Sequence, residues 1–238
     1  NPEVILLLSR SYPLAFASKY LGFRTVFASS RSPKFGDGFD NIESLSFPDG
    51  THRGNINMGT LDYLGLGSPV RNFEFEIPGH YEEEARKVMA TLDLRGGKVI
   101  GIVPRSNMPF KDWPEKSLEG TIKELTHDLG YTVILMDDTR TKEYNFKGVI
   151  DLRGKMSFLA DAYLLRYADL FDLVVGVDTG MMHLAGSIST NENGMIMAGT
   201  PTNLTLSIFG DTDPKVFSPY DATGMYNTIV SPDQPPAY

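Results

Sequence analysis

The residues best suited to chemistry stand together at Asp178-Thr-Gly-Met-Met-His183, directly after the apolar, β-branched run Leu173–Val177. Such a run is typical of a strand buried on both faces. The apolar residues that follow, up to Ile188, have helical spacing. A strand, a tight turn and a helix make the half-unit in which α/β proteins bind a ligand at the carboxyl end of the strand.

This turn has the chemistry of an anion site. The first turn of a helix carries unpaired backbone N–H groups and about half a positive charge. Asp178 or Thr179 is placed to cap that turn, and Gly180 allows a diphosphate to approach the backbone. His183 lies in the first turn, within reach of the same anion. The alternative is a capped helix without a ligand, and the turn alone does not decide between the two.

A second polar set follows an earlier apolar run, Lys98–Val103. Lys111 lies in the loop after that run, and its compact ammonium suits a phosphate. Ser106 and Asn107 in the same loop are hydrogen-bond donors for phosphate oxygens. Because parallel strands end at one sheet edge, Lys111 is predicted to face the Asp178 turn. The alternative, which the loop taken alone favours, is a solvated surface segment.

Two further loops fall at the same predicted edge. Met156 joins a strand to a helix, and its thioether is suited to packing on a nucleobase, although such a methionine is more often part of the core. Asp211 and Asp213, in the loop after Leu204–Phe209, are either ligand contacts or turn formers.

Strands and helices alternate along the chain, which predicts an α/β fold with parallel sheets and helices on both faces. A boundary near Gly96-Gly97 separates a domain at residues 1–95 from a second at 96–238. The predicted strands are Val4–Leu8, Arg24–Ala28, Leu45–Phe47, Lys98–Val103, Tyr131–Met136, Val149–Leu152, Leu173–Val177 and Leu204–Phe209. The predicted helices are Pro13–Leu21, Ile56–Leu64, Tyr81–Leu92, Pro114–Leu129, Ser157–Tyr167 (with Ser157 as N-cap) and one that follows the Asp178 turn.

Composition excludes several classes of function. A chain of 238 residues with 41% hydrophobic and 22% charged residues is an ordinary soluble globular protein. The net charge of -8 argues against binding to nucleic acid or to membrane surfaces. The absence of cysteine excludes disulfides and thiolate metal sites, and the four scattered histidines lack zinc-site spacing. With neither a membrane-spanning apolar run nor a signal pattern, a cytoplasmic location is expected.

Taken in order, four segments resemble glycosyltransferase family 9, the heptosyltransferase-like enzymes. The Asp-Thr-Gly-x-x-His-Leu element is the most specific, and the order and spacing of the others strengthen the resemblance. Upstream, Thr60–Gly65 resembles the inter-strand helix of the family. The four segments are Lys111–Glu115, Gly154–Ser157, Val177–Ala185 and Phe209–Pro214.

The resemblance implies the GT-B architecture, in which two Rossmann-like domains face each other across a cleft. It implies an acceptor-side domain at 1–95, a nucleotide-sugar domain at 96–238, and sugar transfer from a nucleoside-diphosphate sugar to a glycan or lipid-linked acceptor, with inversion and without metal or cofactor. Glu143 is the candidate for the family's ribose-binding acid. The donor-binding residues implied are Ser106, Asn107, Lys111, Met156, Asp178, Thr179, Gly180 and His183.

The chain also departs from the family pattern. The family's general base is an Asp in a Gly-Asp loop after the first N-terminal strand, and Gly36-Asp37 lacks that context. The catalytic residue is therefore unassigned, and a further segment is expected before residue 1, which would complete the N-terminal domain. Three interpretations stay open: a fragment of a transferase, part of a split protein whose partner chain supplies that segment, or a non-catalytic nucleotide-sugar-binding or structural relative. A transferase with a lipid-linked acceptor would act at the inner face of the membrane.

Asp-Thr-Gly is also the signature of aspartic proteases, where it lies in an all-β fold and pairs with a second carboxylate. Here it leads into a helical pattern, Met181–Ala185, in an alternating α/β chain. The pattern favours the transferase-like interpretation over the protease.

Overall fold

The computed structural model describes residues 4–7, 11–30, 38–67, 77–94, 97–137, 147–186, 204–219 and 227–230. The chain divides into two compact units. Unit 1 comprises Asn1–Val70 and Lys215–Phe217, and unit 2 comprises Arg71–Pro214 and Ser218–Tyr238.

Unit 1 contains a parallel three-stranded sheet in the order β1-β2-β3. Its core is small and lies between the sheet and the first helix, where Leu7, Ala15, Phe27 and Ile42 are buried together. The elements are β1 (Val4–Leu7), α1 (Tyr12–Tyr20), β2 (Arg24–Ser29), β3 (Ile42–Ser46) and α2 (Arg53–Tyr63).

The described part of unit 2 is built on a six-stranded sheet in the order β6-β5-β4-β7-β8-β9. Every strand pair in it is parallel. Its strands are β4 (Val99–Val103), β5 (Thr132–Leu135), β6 (Val149–Asp151), β7 (Leu173–Val177), β8 (Leu204–Phe209) and β9 (Asn227–Val230). The helices within this unit are α3 (Gly79–Met89), α4 (Glu115–Lys123), α5 (Phe158–Tyr167) and α6 (Gly180–Ala185). A short helix, α7 (Pro214–Phe217), begins at the last residue of the Arg71–Pro214 segment, and its other residues, Lys215–Phe217, are assigned to unit 1.

Successive side chains of β4 point to opposite faces of the sheet, and both faces are buried. Val99 and Val103 belong to a hydrophobic cluster that includes residues of α5 and α6. Ile100 and Ile102 belong to a second cluster that includes residues of α4. The predicted α/β class, with parallel strands between helical layers, is therefore confirmed.

The predicted elements agree with the structure apart from local differences. The helix predicted at Pro114–Leu129 is α-helical only to Lys123 and continues as a π-helical turn, Glu124–Asp128. The short strand predicted at 45–47 is centred earlier, at Ile42–Ser46. The last strand, β9, was not predicted. The segment Ser189–Thr202, interpreted as an insertion in the family pattern, lies outside the described residues.

Helix α3 packs against α5 of the same unit, although it precedes the domain boundary predicted near residue 96. The Glu84 carboxylate accepts hydrogen bonds from the Ser157 backbone N–H at 2.8 Å and from its hydroxyl at 2.7 Å. Ser157 also accepts a bond from the N–H of Ala160, which confirms it as the N-cap of α5. Farther along, the Tyr163 hydroxyl donates to Glu82 at 3.2 Å. These contacts place residues 79–89 in unit 2. The domain boundary near residue 96 stays a prediction.

Replacing Glu84 by alanine is expected to lower the melting temperature by about 2–4 °C, because two donors at the start of α5 lose their acceptor. Glu83→Ala is the matched control, since Glu83 pairs only across the exposed helix surface with Lys87 and such pairs contribute little. Thermal unfolding followed by circular dichroism measures both. Equal losses in the two variants would contradict the role of Glu84.

Within the described ranges, no helix combines the length and the apolar character that crossing a membrane requires.

Candidate functional site

The strand order of unit 2 places a topological switch at the centre of its sheet. From β4 the chain winds outward through β5 and β6, then returns to the other side of β4 and continues through β7, β8 and β9. The chain therefore leaves the two central strands, β4 and β7, toward opposite edges of the sheet. In open parallel sheets the crevice at this point, outside the carboxyl ends of the strands, is where ligands bind.

Lys111 and Asp178 meet at this switch point. Lys111 comes from the loop after β4, and Asp178 directly follows β7. The distance between Lys111 Nζ and Asp178 Oδ2 is 2.7 Å, and the side chains are 16% and 7% exposed. The sequence-based expectation that Lys111 faces the Asp178 turn agrees with this contact.

Asp178 also connects the site to two other elements. The Thr212 hydroxyl, from the loop after β8, donates to Asp178 Oδ2 at 2.7 Å. On the other carboxylate oxygen, Oδ1 lies 3.7 Å from Nε2 of His183, longer than a direct hydrogen bond. The His183 side chain is 45% exposed and so remains accessible to a ligand. One carboxylate thus joins the loops that follow three adjacent strands, β4, β7 and β8.

Burial of Asp178 by itself would raise the pKa of its carboxyl group. Interaction with His183 and the hydrogen bonds from Lys111 and Thr212 outweigh burial, with a further contribution from the Lys111 charge, and lower the pKa from 3.8 to about 2. Asp178 is therefore ionised throughout the neutral and mildly acidic range. A permanently charged carboxylate holds the lysine ammonium in place.

This lowered pKa predicts a specific acid dependence of stability. Because the folded-state pKa is below the ordinary value, the ionised carboxylate stabilises the fold above pH 3.8, and the contribution is lost as the pH falls through about 2. A shift of this size corresponds to about 2 kcal/mol. The difference in free energy of unfolding between wild type and Asp178→Asn should therefore shrink between pH 5 and pH 2, measured by urea unfolding. A difference that does not vary with pH would contradict it.

The loop after β4 is fixed by its own hydrogen bonds. Asp112 accepts from the backbone N–H of Ser106 at 2.9 Å and pairs with Arg105 at 3.0 Å. The N–H of Lys111 donates to the carbonyl of Met108 at 2.8 Å. Lys111 therefore approaches Asp178 from a pre-organised turn.

Ser106 and Asn107 occupy this loop in different ways. The Ser106 hydroxyl donates to the Met108 carbonyl and accepts from the Met108 N–H, each at 3.0 Å. Asn107 is exposed. The role of either residue in binding a donor stays a prediction.

The predicted side-chain cap of the Asp178 turn is wrong. Thr179 occupies the N-cap position of α6, but its side chain makes no capping hydrogen bond. The Asp178 carboxylate is directed to Lys111 and Thr212 instead, because the cation and the hydroxyl are the donors that the neighbouring loops bring to it. A methyl group added at Gly180 would meet no atom within 4 Å, so the space beside this backbone is open.

Other residues named from the sequence are not among the hydrogen-bond and ion-pair partners of Asp178 given above, or lie outside the described residues. Met156 is 8% exposed and belongs to the hydrophobic cluster that includes α5, so its role near a nucleobase stays a prediction. Glu143 and Gly36-Asp37 fall outside the described residues. Sequence patterns single out Asp211 and Asp213 but not Thr212 between them. Its hydroxyl, in a loop at the same sheet edge, was the available signal.

Across the described ranges, no group of three or more His, Cys, Asp or Glu residues is arranged to hold a metal ion.

Comparison with solved structures establishes the fold class. E. coli heptosyltransferase WaaC with ADP superposes with a TM-score of 0.63 at 19% identity, covering 98% of this chain and 67% of that one. WaaC with ADP-2-deoxy-2-fluoro heptose gives 0.59 at 18% identity, covering 97% and 66%. E. coli ADP-heptose lps heptosyltransferase II gives 0.57 at 15% identity, covering 96% and 68%. The chain thus has the α/β fold of the GT-B heptosyltransferases and spans about two thirds of their length.

The sequence places the chain in a family. The profile of glycosyltransferase family 9 (heptosyltransferase) matches residues 60–235, which include all eight residues proposed to bind a donor. The protein belongs to glycosyltransferase family 9, as its motifs predicted. A search of curated protein sequences found no match.

Proposed function

We propose that unit 2 binds a nucleoside-diphosphate sugar and that the protein transfers its sugar, with inversion and without a metal, to a glycan or lipid-linked acceptor. The observation that carries this proposal is the contact between Lys111 and Asp178 at the switch point of the sheet. A partly shielded ammonium at the ligand crevice of a parallel sheet is suited to phosphate. Membership of glycosyltransferase family 9 supports group transfer as the chemistry.

The proposed role of Lys111 follows from its donors. An ammonium has three N–H groups, and the contact with Asp178 uses one of them. The others are directed at phosphate oxygens of the donor. As the acceptor hydroxyl attacks the anomeric carbon, the bond between that carbon and the phosphate oxygen breaks and its electrons leave with the nucleoside diphosphate. Lys111 stabilises the negative charge that develops there, while a general base takes the proton of the acceptor.

The remaining donor-site residues surround this cation in the proposal. His183 reaches the sugar or diphosphate from α6, and the open space beside Gly180 admits a phosphate next to Thr179. Asn107, which is exposed, donates to phosphate oxygens from the loop after β4, and the Ser106 hydroxyl does so by exchanging its bond to the Met108 carbonyl for one to the ligand.

The structural relatives guide the choice of donor. WaaC was solved with ADP and with ADP-2-deoxy-2-fluoro heptose, and the third relative is an ADP-heptose lps heptosyltransferase. We therefore take an ADP-sugar as the first donor to test. A lipid-linked acceptor would place the protein at the inner face of the membrane, and a separate chain could complete its acceptor side.

Calorimetric titration of the purified chain against ADP, UDP and GDP, and then their sugar conjugates, tests the proposal. Binding of one nucleoside diphosphate, with transfer to an acceptor in the absence of added metal, would support it. Binding without transfer would favour the non-catalytic relative. Absence of binding to every member of the panel would reject the donor site.

A further inference from the structure

The two oxygens of the Asp178 carboxylate have different surroundings. Oδ2 accepts two short hydrogen bonds, one from Lys111 Nζ and one from Thr212 Oγ1, both at 2.7 Å. Oδ1 faces His183 Nε2 at 3.7 Å. The carboxylate is therefore held in one orientation by donors that come from the loops on either side of β7.

Thr212 is the neutral member of this arrangement. Its hydroxyl has a single proton, and that proton is committed to Asp178. The loop that carries Thr212 follows β8, whereas the loop that carries Lys111 follows β4, the neighbour of β7 on its other side. Thr212 thus fixes Asp178 from the side opposite to the lysine.

This geometry has a consequence for Lys111. A carboxylate with Lys111 as its sole fixed donor could rotate about its side-chain bonds and carry the ammonium with it. With both donors on Oδ2, the ammonium stays at one place and Oδ1 stays turned toward His183. Binding groups that are held in place before the ligand arrives lose less freedom on binding and so give higher affinity.

We propose that Thr212 is a positioning residue of the donor site, which acts through Asp178 to hold the Lys111 ammonium where the diphosphate binds. This inference rests on the proposed function for the identity of the ligand. Thr212 does not touch the donor in this scheme, and its effect is exerted entirely through the Asp178 carboxylate.

Two variants of the full chain separate the hydroxyl from the shape of the side chain. Thr212→Val keeps the branched shape and removes the donor, whereas Thr212→Ser keeps the donor and removes a methyl group. By calorimetry, Thr212→Val should bind ADP about 10-fold more weakly than wild type, the loss expected for one hydrogen bond to a charged group. Thr212→Ser should stay within about 3-fold of wild type.

A second measurement does not depend on the ligand. In the ligand-free protein, carboxyl carbon NMR during an acid titration reports the pKa of Asp178. Among the described residues, the other charged or titratable groups that face this carboxylate are Lys111 and His183, and neither variant changes them. Loss of the Thr212 hydrogen bond should raise the pKa of Asp178 in Thr212→Val, and Thr212→Ser should restore it.

The outcomes are distinguishable. An unchanged Asp178 pKa in Thr212→Val, or equal loss of affinity in the valine and serine variants, would overturn the inference. If wild type binds ADP and Thr212→Val binds it with the same affinity, the inference is overturned as well, whereas the proposed function stays intact. Failure of wild type to bind any nucleoside diphosphate would reject the proposed function itself, and with it the role assigned to Thr212.

Discussion

Replacing Lys111 by alanine is expected to lower the affinity for the nucleoside diphosphate about 100-fold. Two effects add in the same direction. The ligand loses a charge-assisted hydrogen bond at a site where the ammonium is only 16% exposed. It also approaches an Asp178 carboxylate whose charge is no longer balanced by the lysine. Calorimetric titration of wild type and variant with ADP measures the loss.

Lys116→Ala is the matched control for this experiment. Lys116 is exposed on α4 of the same unit, and its removal changes the net charge by the same amount. Its affinity should stay within about 2-fold of wild type, because exposed charges are screened by salt. Circular dichroism should show the folded spectrum for both variants. If Lys111→Ala bound ADP as tightly as Lys116→Ala, Lys111 would have no part in the site.

Gly176→Ala is expected to destabilise the protein by about 3 kcal/mol. Gly176 lies on β7, paired with Val103 of β4, and Met182 of α6 packs over it. A methyl group there would stand 2.6 Å from Met182 Sδ and 2.8 Å from the Val103 side chain. Both neighbours are fully buried, at 1% and 0% exposure, so neither has room to move away. Urea unfolding measures the change.

Gly120→Ala provides a control of opposite sign. Gly120 is exposed inside α4, and an added methyl group would meet no atom within 4 Å. Alanine there should stabilise the helix by about 0.5–1 kcal/mol. In a double-mutant cycle, Gly176→Ala should cost less in the background of Met182→Ala than in wild type, because the sulfur contact is absent there. A neutral effect of Gly176→Ala would show that the close approach of α6 to β7 is not required.

Gly176 and Gly180 show two different reasons for a glycine in one strand–turn–helix unit. Gly176 has no side chain, and Met182 and Val103 pack into the space that one would occupy. Gly180, four residues later, is surrounded by open space. The first glycine is explained by packing, whereas close approach of a ligand is the proposed reason for the second.

The sequence alone determined the local elements and the residue types of the site. The unbroken apolar run of β7 predicts a buried strand, and the Asp-Thr-Gly turn with helical spacing after it predicts α6, because these patterns arise from neighbours in the chain. The position of Lys111 near the turn was also predictable, since parallel strands end at one edge of the sheet. Ser157 as an N-cap follows from local backbone chemistry.

Only the tertiary structure decided which donors Asp178 would find. From the sequence, the nearest unpaired N–H groups were those of its own turn, and capping was the expected role. The strand order brings the loops after β4 and β8 to either side of Asp178, where Lys111 and Thr212 donate hydrogen bonds to its carboxylate. Strand order depends on packing between segments far apart in the chain, and so does the docking of Glu84 on Ser157. Such partners leave no periodic signal in the sequence, because a hydrogen bond across a sheet edge constrains only the two residues that form it.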